Sequence, residues 1–246
     1  MGRDRRRKLD KDCIFNEEIN YEVSTKMKKV IILGGAGNGM VIAGTIDRCK
    51  SAEIQGFLND VDPLGYEIGI NKTIPVIGRT EEISDRLKED NDLYVISGYG
   101  GFTNPKRTLE RLYSLNIPND RFLNVIDHTA VIPYDYCKLG NGIFIAPLVQ
   151  LSATATIGNH CSLFGNSFVG HDTVVGEFCH IATNAVVGAK TKIGKGVHIG
   201  INSCIRENVE IGDYSIIGMG AVVIKDVPPN TIVVGNPAKV LKSRED

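Results

Sequence analysis

The sequence lacks the marks of several protein classes, and each absence narrows what it can be. Its six cysteines include no Cys-x-x-Cys pair and form no dense framework, so they read as core thiols in a reducing compartment rather than as a disulfide scaffold. No apolar run approaches the roughly 18 residues that a membrane span needs. The formal net charge of −1 leaves no global basic field for nucleic acid. The basic start Gly2-Arg3-Asp4-Arg5-Arg6-Arg7-Lys8 is not followed by the apolar stretch of a secretory signal. We expect a cytoplasmic protein that binds no nucleic acid and enters no membrane.

At 246 residues and 42% hydrophobic composition, the chain can build one or two ordinary cores, and two small domains are the natural split. Residues 1–26 have mixed charge and little periodicity. They read as a disordered leader ahead of Met27, the alternative being a basic patch for phosphate or a membrane surface.

What the chain does have is a six-residue beat. Stepping by six from Leu139 gives Ile145, Leu151, Ile157, Leu163, Val169, Val175, Ile181, Val187, Ile193, Ile199, Ile205, Ile211, Ile217 and Val223, all branched aliphatics. Four residues after most of them comes a small or β-branched residue, such as Ala155, Cys161, Ser167, Thr173 or Cys179, and the residue just after is often glycine. A helix would need apolar spacings of three and four, and an ordinary half-buried strand would need alternation. A hexapeptide parallel β-helix fits both observations. Three hexads make one coil, so fifteen make about five coils stacked at the strand spacing of about 4.8 Å. Val125 and Val131, already six apart, suggest a bulged first coil with a two-residue slip before Leu139. After the prism, Pro228-Pro229 withdraws ladder donors, so the tail should leave the coil axis and fold back.

The other half begins with Val30-Ile31-Ile32-Leu33, a buried-strand run, then Gly34-Gly35-Ala36-Gly37-Asn38-Gly39 and a helix to about Cys49. That order opens a Rossmann-like unit, in which backbone N–H groups at a helix start cradle phosphate. The full dinucleotide fingerprint is missing, because Met40 stands at its third glycine. Glu53 to Leu58 reads as a second strand ending in Asn59-Asp60, Ile74 to Ile77 and Leu93 to Ser97 as further strands, and Lys106 to Leu115 as a helix. The loop Ser97-Gly98-Tyr99-Gly100-Gly101 follows a strand end, where open α/β sheets bind ligands.

The hexads, the closing run Gly212-Asp213-Tyr214-Ser215-Ile216-Ile217-Gly218-Met219-Gly220-Ala221-Val222-Val223 and the later Val234-Gly235-Asn236-Pro237-Ala238-Lys239 resemble the left-handed β-helix acyltransferases. From about Lys29 onward the chain is similar to the sugar O-acyl- and N-acetyltransferases with an N-terminal nucleotide-sugar-binding domain, typified by the bacterial UDP-4-amino-sugar acetyltransferase. The resemblance implies an α/β Rossmann-like domain at 27–122 and a left-handed β-helix at 123–246, acetyl-CoA as co-substrate, no metal, and a homotrimer with active sites between adjacent prisms. It implies a nucleotide-linked 4-amino sugar as acceptor, in polysaccharide or glycan assembly.

Residue by residue, it makes His171 the general base and Asp172 its acidic neighbour. Ala36, Gly37, Asn38 and Gly39 fall where the nucleotide sugar is held, with Gly98 added from its strand-end loop, and Asn59 and Asp60 where acidic residues meet the base, unless they form only a polar turn. His180, Ala189, Ile201 and Met219 fall where acetyl-CoA is held. Two departures stand out: Asn38 replaces a frequent histidine, and Phe164 replaces an asparagine for which Asn166 is a nearby substitute. Independently of resemblance, His171 occupies an outward position between Ala153 and Ala189, small residues that leave room beside it. An imidazole titrates near neutral pH, so it suits removal of a proton from an amine attacking a thioester. The alternatives are O-acetylation of a sugar such as sialic acid and, more remotely, a zinc-dependent γ-class carbonic anhydrase using His171, His180 and His198. A non-catalytic scaffold would leave the phosphate-binding turn unexplained.

Overall fold

The computed structural model describes residues 27–99 and 104–244, so the basic leader and Gly100-Gly101 lie outside the described residues. The first half is an α/β unit. Strand β1 (Lys29–Leu33) has its last four residues buried on both faces, as its unbroken aliphatic run requires. Helix α1 (Asn38–Cys49) buries Ile42, Ala43 and Ile46 at the three- and four-residue spacing of one helical face. Strands β2 (Glu53–Leu58), β3 (Glu67–Gly69), β4 (Thr73–Gly78) and β5 (Leu93–Ser97) complete a sheet in the order β3-β4-β2-β1-β5, with only β3 antiparallel. Helices α2 (Ile83–Glu89) and α3 (Pro105–Ser114) flank β5 in sequence. The strand order reverses at β1, since the chain moves outward through β2 and β4 and then returns to β5 on the other side. Such a switch leaves a crevice at the carboxyl ends of β1 and β5, where the glycine turn and Gly98 lie.

The second half is a parallel β-helix. After β6 (Val125–Ile126), two-residue strands recur every six residues from β7 (Lys138–Leu139) to β21 (Val222–Val223). They form three parallel faces, named here for their outward residues. The lysine face carries Lys138, Thr156, Val174, Lys192 and Glu210. The histidine face carries Phe144, Ser162, His180, His198 and Ile216. The valine face carries Gln150, Phe168, Val186, Cys204 and Val222. The second residue of each strand points inward, and from Ile145 to Val223 these aliphatics are at most 4% exposed. Small inward residues close the corners, where the buried Thr173 hydroxyl donates to Gly188 O at 2.9 Å and the Cys161 and Cys179 thiols reach Gly176 O and Gly194 O at 3.0 Å. Interior polar atoms are thereby largely satisfied, as burial demands.

Each corner holds one residue in the left-handed region, and these form three columns at eighteen-residue spacing. One runs Gly142, His160, Phe178, Gly196, Tyr214; the next Leu148, Asn166, Asn184, Asn202, Gly220; the third Thr154, Asp172, Lys190, Asn208. A non-glycine residue there costs roughly 1–2 kcal/mol, least for Asn and Asp, which explains the asparagines. Backbone bonds between coils, such as Lys190 N to His171 O at 2.8 Å, hold the costlier ones in place.

Two sequence expectations need correction. In the first coil, Val125 pairs with Phe144 and Val131 with Gln150, nineteen apart rather than eighteen, so the inward slots belong to Ile126 and Ile132. Val131 is 60% exposed, and the slip before Leu139 is one residue rather than two. Val125 is still buried because its side chain joins a cluster that includes Ile42 and Ile46 of α1. The tail also stays on the axis longer than its prolines imply: β22 (Thr231–Val234) adds a parallel strand to the histidine face, and only β23 (Lys239–Ser243) turns back antiparallel. The prolines occupy the corner, where Pro228 O accepts from Ser215, so no ladder donor is lost.

The halves are packed together along the edge between the lysine and histidine faces. Leu109 and Leu112 of α3 share a buried cluster with Phe122 and Phe178. Tyr113 donates to Glu177, and Phe122 meets His160 edge-on at 4.4 Å.

Candidate active site

The edge between the valine and lysine faces carries His171. Val169 ends its strand pointing inward, Gly170 turns the chain, and His171 projects outward before Asp172 adopts φ 58°. Gly170 is required by close approach, since a Cβ there would lie 2.5 Å from Ala189 N in the next coil. His171 Nδ1 and Asp172 Oδ2 are 2.8 Å apart, with both side chains about half exposed. Asp172 is fixed from the preceding coil: the Thr154 hydroxyl donates to its Oδ1 at 2.7 Å and accepts from its backbone N–H at 3.0 Å. The hydrogen bond from His171, followed by that from Thr154, holds the Asp172 carboxyl below the usual carboxylate range. An ionised carboxylate can only accept, so Nδ1 carries the proton, and in the neutral tautomer that leaves Nε2 as the accepting nitrogen. The arrangement can take a proton from an incoming nucleophile.

The crevice of the α/β unit gathers Ala36, Gly37, Asn38, Gly39 and Gly98. Gly37 has φ 74° and caps α1 by accepting from Val41 N at 3.1 Å, leaving the helix start open. Gly98 and Gly39 are back to back, because a Cβ on Gly98 would meet Gly39 Cα at 2.9 Å. Asn59 is committed to its own turn, accepting from Val61 N at 2.8 Å and donating to Asp62 at 2.6 Å. Asp60 accepts from Thr80 N at 3.0 Å and Thr80 Oγ1 at 2.7 Å, and pairs with Arg111. Burial pushes the Asp60 carboxyl up, but Thr80 and the arginines outweigh it, leaving it below its usual range. The Tyr99 hydroxyl joins at 2.8 Å from Thr80 Oγ1. The sequence points to Tyr99 only as part of its loop and not to Thr80 or Arg111 at all; the three come together only through the fold. Thr154 was within reach, because stepping back eighteen from Asp172 finds it.

The remaining candidates lie on other parts of the prism. Ala189 stands one coil beyond His171 on the same edge. Ile201 and Met219, 49% and 80% exposed, stack eighteen apart on the edge between the histidine and valine faces, as does the exposed Asn166. His180 lies on the histidine face, its ring 4.6 Å from Phe164 and 4.7 Å from His198. Phe164 thus packs where an asparagine was expected, and it also meets Phe144 at 5.6 Å. Burial pushes His180 and His198 down to about 4. His171 is on an edge away from the face that carries these two, and among the described residues none of the three belongs to a metal-ligand cluster.

Two family comparisons match the chain. Residues 29–105 match the PglD N-terminal domain, and residues 190–225 match the bacterial transferase hexapeptide of six repeats. The structure is similar to the acetyltransferase domain of PglB from Neisseria gonorrhoeae in complex with acetyl coenzyme A, at 26% identity and TM-score 0.74, over 88% of this chain and 100% of that one. It is also similar to PerB from Caulobacter crescentus in complex with CoA and GDP-perosamine, at 23% identity and TM-score 0.74, over 87% and 97%. WeeI from Acinetobacter baumannii matches at 24% identity and TM-score 0.70, over 86% and 99%. No curated protein sequence matches. The resemblance read from the hexads and the glycine turn is borne out in both halves: the architecture is an α/β domain followed by a hexapeptide-repeat β-helix, as in the PglB acetyltransferase domain.

Proposed function

We propose that this protein is an acyltransferase that uses acetyl-CoA to N-acetylate a nucleotide-linked 4-amino sugar. The observation that carries the mechanism is the His171–Asp172 pair, with Nδ1 held at 2.8 Å by a carboxylate and Nε2 free to face an acceptor. The acyltransferase class and the acetyl-CoA co-substrate are supported by the match to the hexapeptide transferase repeat and by the likeness to the PglB acetyltransferase domain bound to acetyl coenzyme A. The amino-sugar acceptor is supported by the PglD-type N-terminal domain and by the likeness to PerB bound to GDP-perosamine.

The acceptor's amine gives up its proton to His171 Nε2 as its lone pair attacks the thioester carbonyl. The C–S bond then breaks, CoA leaves as the thiolate, and the proton on His171 can be passed to it. No covalent enzyme intermediate is needed. The α/β crevice holds the nucleotide's diphosphate at the start of α1, where N–H groups and the helix dipole favour an anion. Within one chain, Ile201 and Met219 flank the valine face from the edge opposite His171. A site that unites them is completed by apposing two prisms, which is the basis for proposing a homotrimer.

The test is acetyl-CoA-dependent release of free thiol against a panel of UDP-, dTDP- and GDP-linked 4-amino sugars, with sialic acid alongside. Turnover on one nucleotide amino sugar, lost in His171→Ala, is the expected result. Unchanged turnover in that variant would refute the base assignment, and turnover on sialic acid alone would replace N- by O-acetylation.

A further inference from the structure

Where the two halves join, the last residue of α1 meets the chain just after β6. There Cys49 Sγ lies 3.4 Å from His128 Nδ1 and 3.6 Å from Asp127 Oδ2. One ligand atom from each of the three residues falls within 4.8 Å of the others. None of the three belongs to the His171 edge or to the glycine crevice.

We propose that Cys49, Asp127 and His128 form a binding site for a zinc-like divalent transition metal that staples the α/β domain to the first coil. The spacing is the first argument. Tetrahedral zinc takes sulfur at about 2.3 Å and nitrogen or oxygen at about 2.0–2.1 Å, which places sulfur about 3.5 Å from each of the other two ligand atoms. Both observed separations match. The donor set is the second argument, because thiolate, imidazole and carboxylate together select zinc-like metals over calcium or magnesium.

The carboxylate is also prepared for the role. Asp127 is 1% exposed, and its Oδ1 accepts from Thr129 N at 2.8 Å and Thr129 Oγ1 at 2.6 Å, which turns Oδ2 toward Cys49. Such outer bonds orient a ligand before the metal arrives. Arg48 also pairs with Oδ2. An oxygen has two lone pairs, so cation and guanidinium can share it, but Arg48 then opposes the metal's charge and weakens affinity. His128 is exposed, so solvent reaches the site.

The experiment titrates cobalt(II) into the full-length, chelator-treated protein and follows absorption. One equivalent should produce a sulfur-to-cobalt charge-transfer band in the near ultraviolet together with visible d–d bands. The charge-transfer band should vanish in Cys49→Ser, weaken strongly in His128→Ala and persist in Cys204→Ser. Arg48→Ala should tighten binding, and zinc(II) should displace cobalt and raise the Tm of the unaltered protein but not of Cys49→Ser. His128 is exposed, so its variant should fold normally and reports on ligation alone. A missing band in the unaltered protein, or a band that persists in Cys49→Ser, overturns the proposal.

Discussion

Two edges of the prism share one backbone geometry and do opposite things. The lysine-to-histidine edge places His160, Phe178 and Tyr214 in left-handed corners, and the α/β domain is packed against it. The valine-to-lysine edge places Thr154, Asp172 and Lys190 in the same conformation eighteen residues apart and leaves His171 half exposed. The difference lies entirely in the side chains. Aromatic residues at one edge give α3 an apolar seat, with Phe178 4% exposed, while small and polar residues at the other leave open space around an imidazole. A repeating backbone supplies equivalent platforms, and composition gives one to docking and leaves the other open around the candidate base.

The sharpest way to break this comparison is to exchange losses. His171→Ala should lower the rate of thiol release about 10²–10⁴-fold, the usual range for a general base, with the thermal midpoint barely moved. Steady-state kinetics beside a melting curve reads both. Phe178→Ala should do the reverse, destabilising the fold by about 3–5 kcal/mol as a buried aromatic truncation does, while the folded fraction keeps its turnover. A large stability loss in the first variant, or a specific kinetic defect in the second, would erase the distinction.

The buried histidines supply a pH test. His160, His180 and His198 are each pushed down to about 4 by burial, against 6.5 for the free side chain. Between those values the unfolded chain takes up protons that the folded chain refuses. Stability should therefore fall as pH drops from 6.5 toward 4, with no contribution from these groups above 6.5. Urea midpoints at pH 7 and pH 5 should differ less in His180→Phe than in the unaltered protein; equal differences would contradict burial of a neutral ring. The smallest effect concerns Thr154, whose bond to Asp172 Oδ1 is worth about 1 kcal/mol. Thr154→Val should cost only a few-fold in kcat and leave the KM for acetyl-CoA unchanged.

Much of the fold was legible because its determinants are local and periodic. An aliphatic at every sixth position from Leu139 to Val223 defines the inward face, and nothing in the tertiary structure overrides it. The first coil was misread because Val125 and Val131 keep the beat in sequence while Ile126 and Ile132 fill the inward slots. There the packing of α1 on Val125 competes with the hexad pattern, and a single chain carries no sign of that contest. The His171–Asp172 pair was equally readable, since adjacent residues at an outward position need no long-range information. Asp60 could be named from sequence but its partners could not, because Thr80 and Arg111 reach it from elements twenty and fifty-one residues away.

The sequence by itself determined the coil, its interior and the identity of the candidate base, because six-residue spacing fixes which side chains point inward before any contact is made. Tertiary structure alone decided which edge the α/β domain occupies and how Cys49, 78 residues before Asp127, comes to face it. Those outcomes depend on how two distant stretches of the chain pack together, and surface complementarity has no period to read.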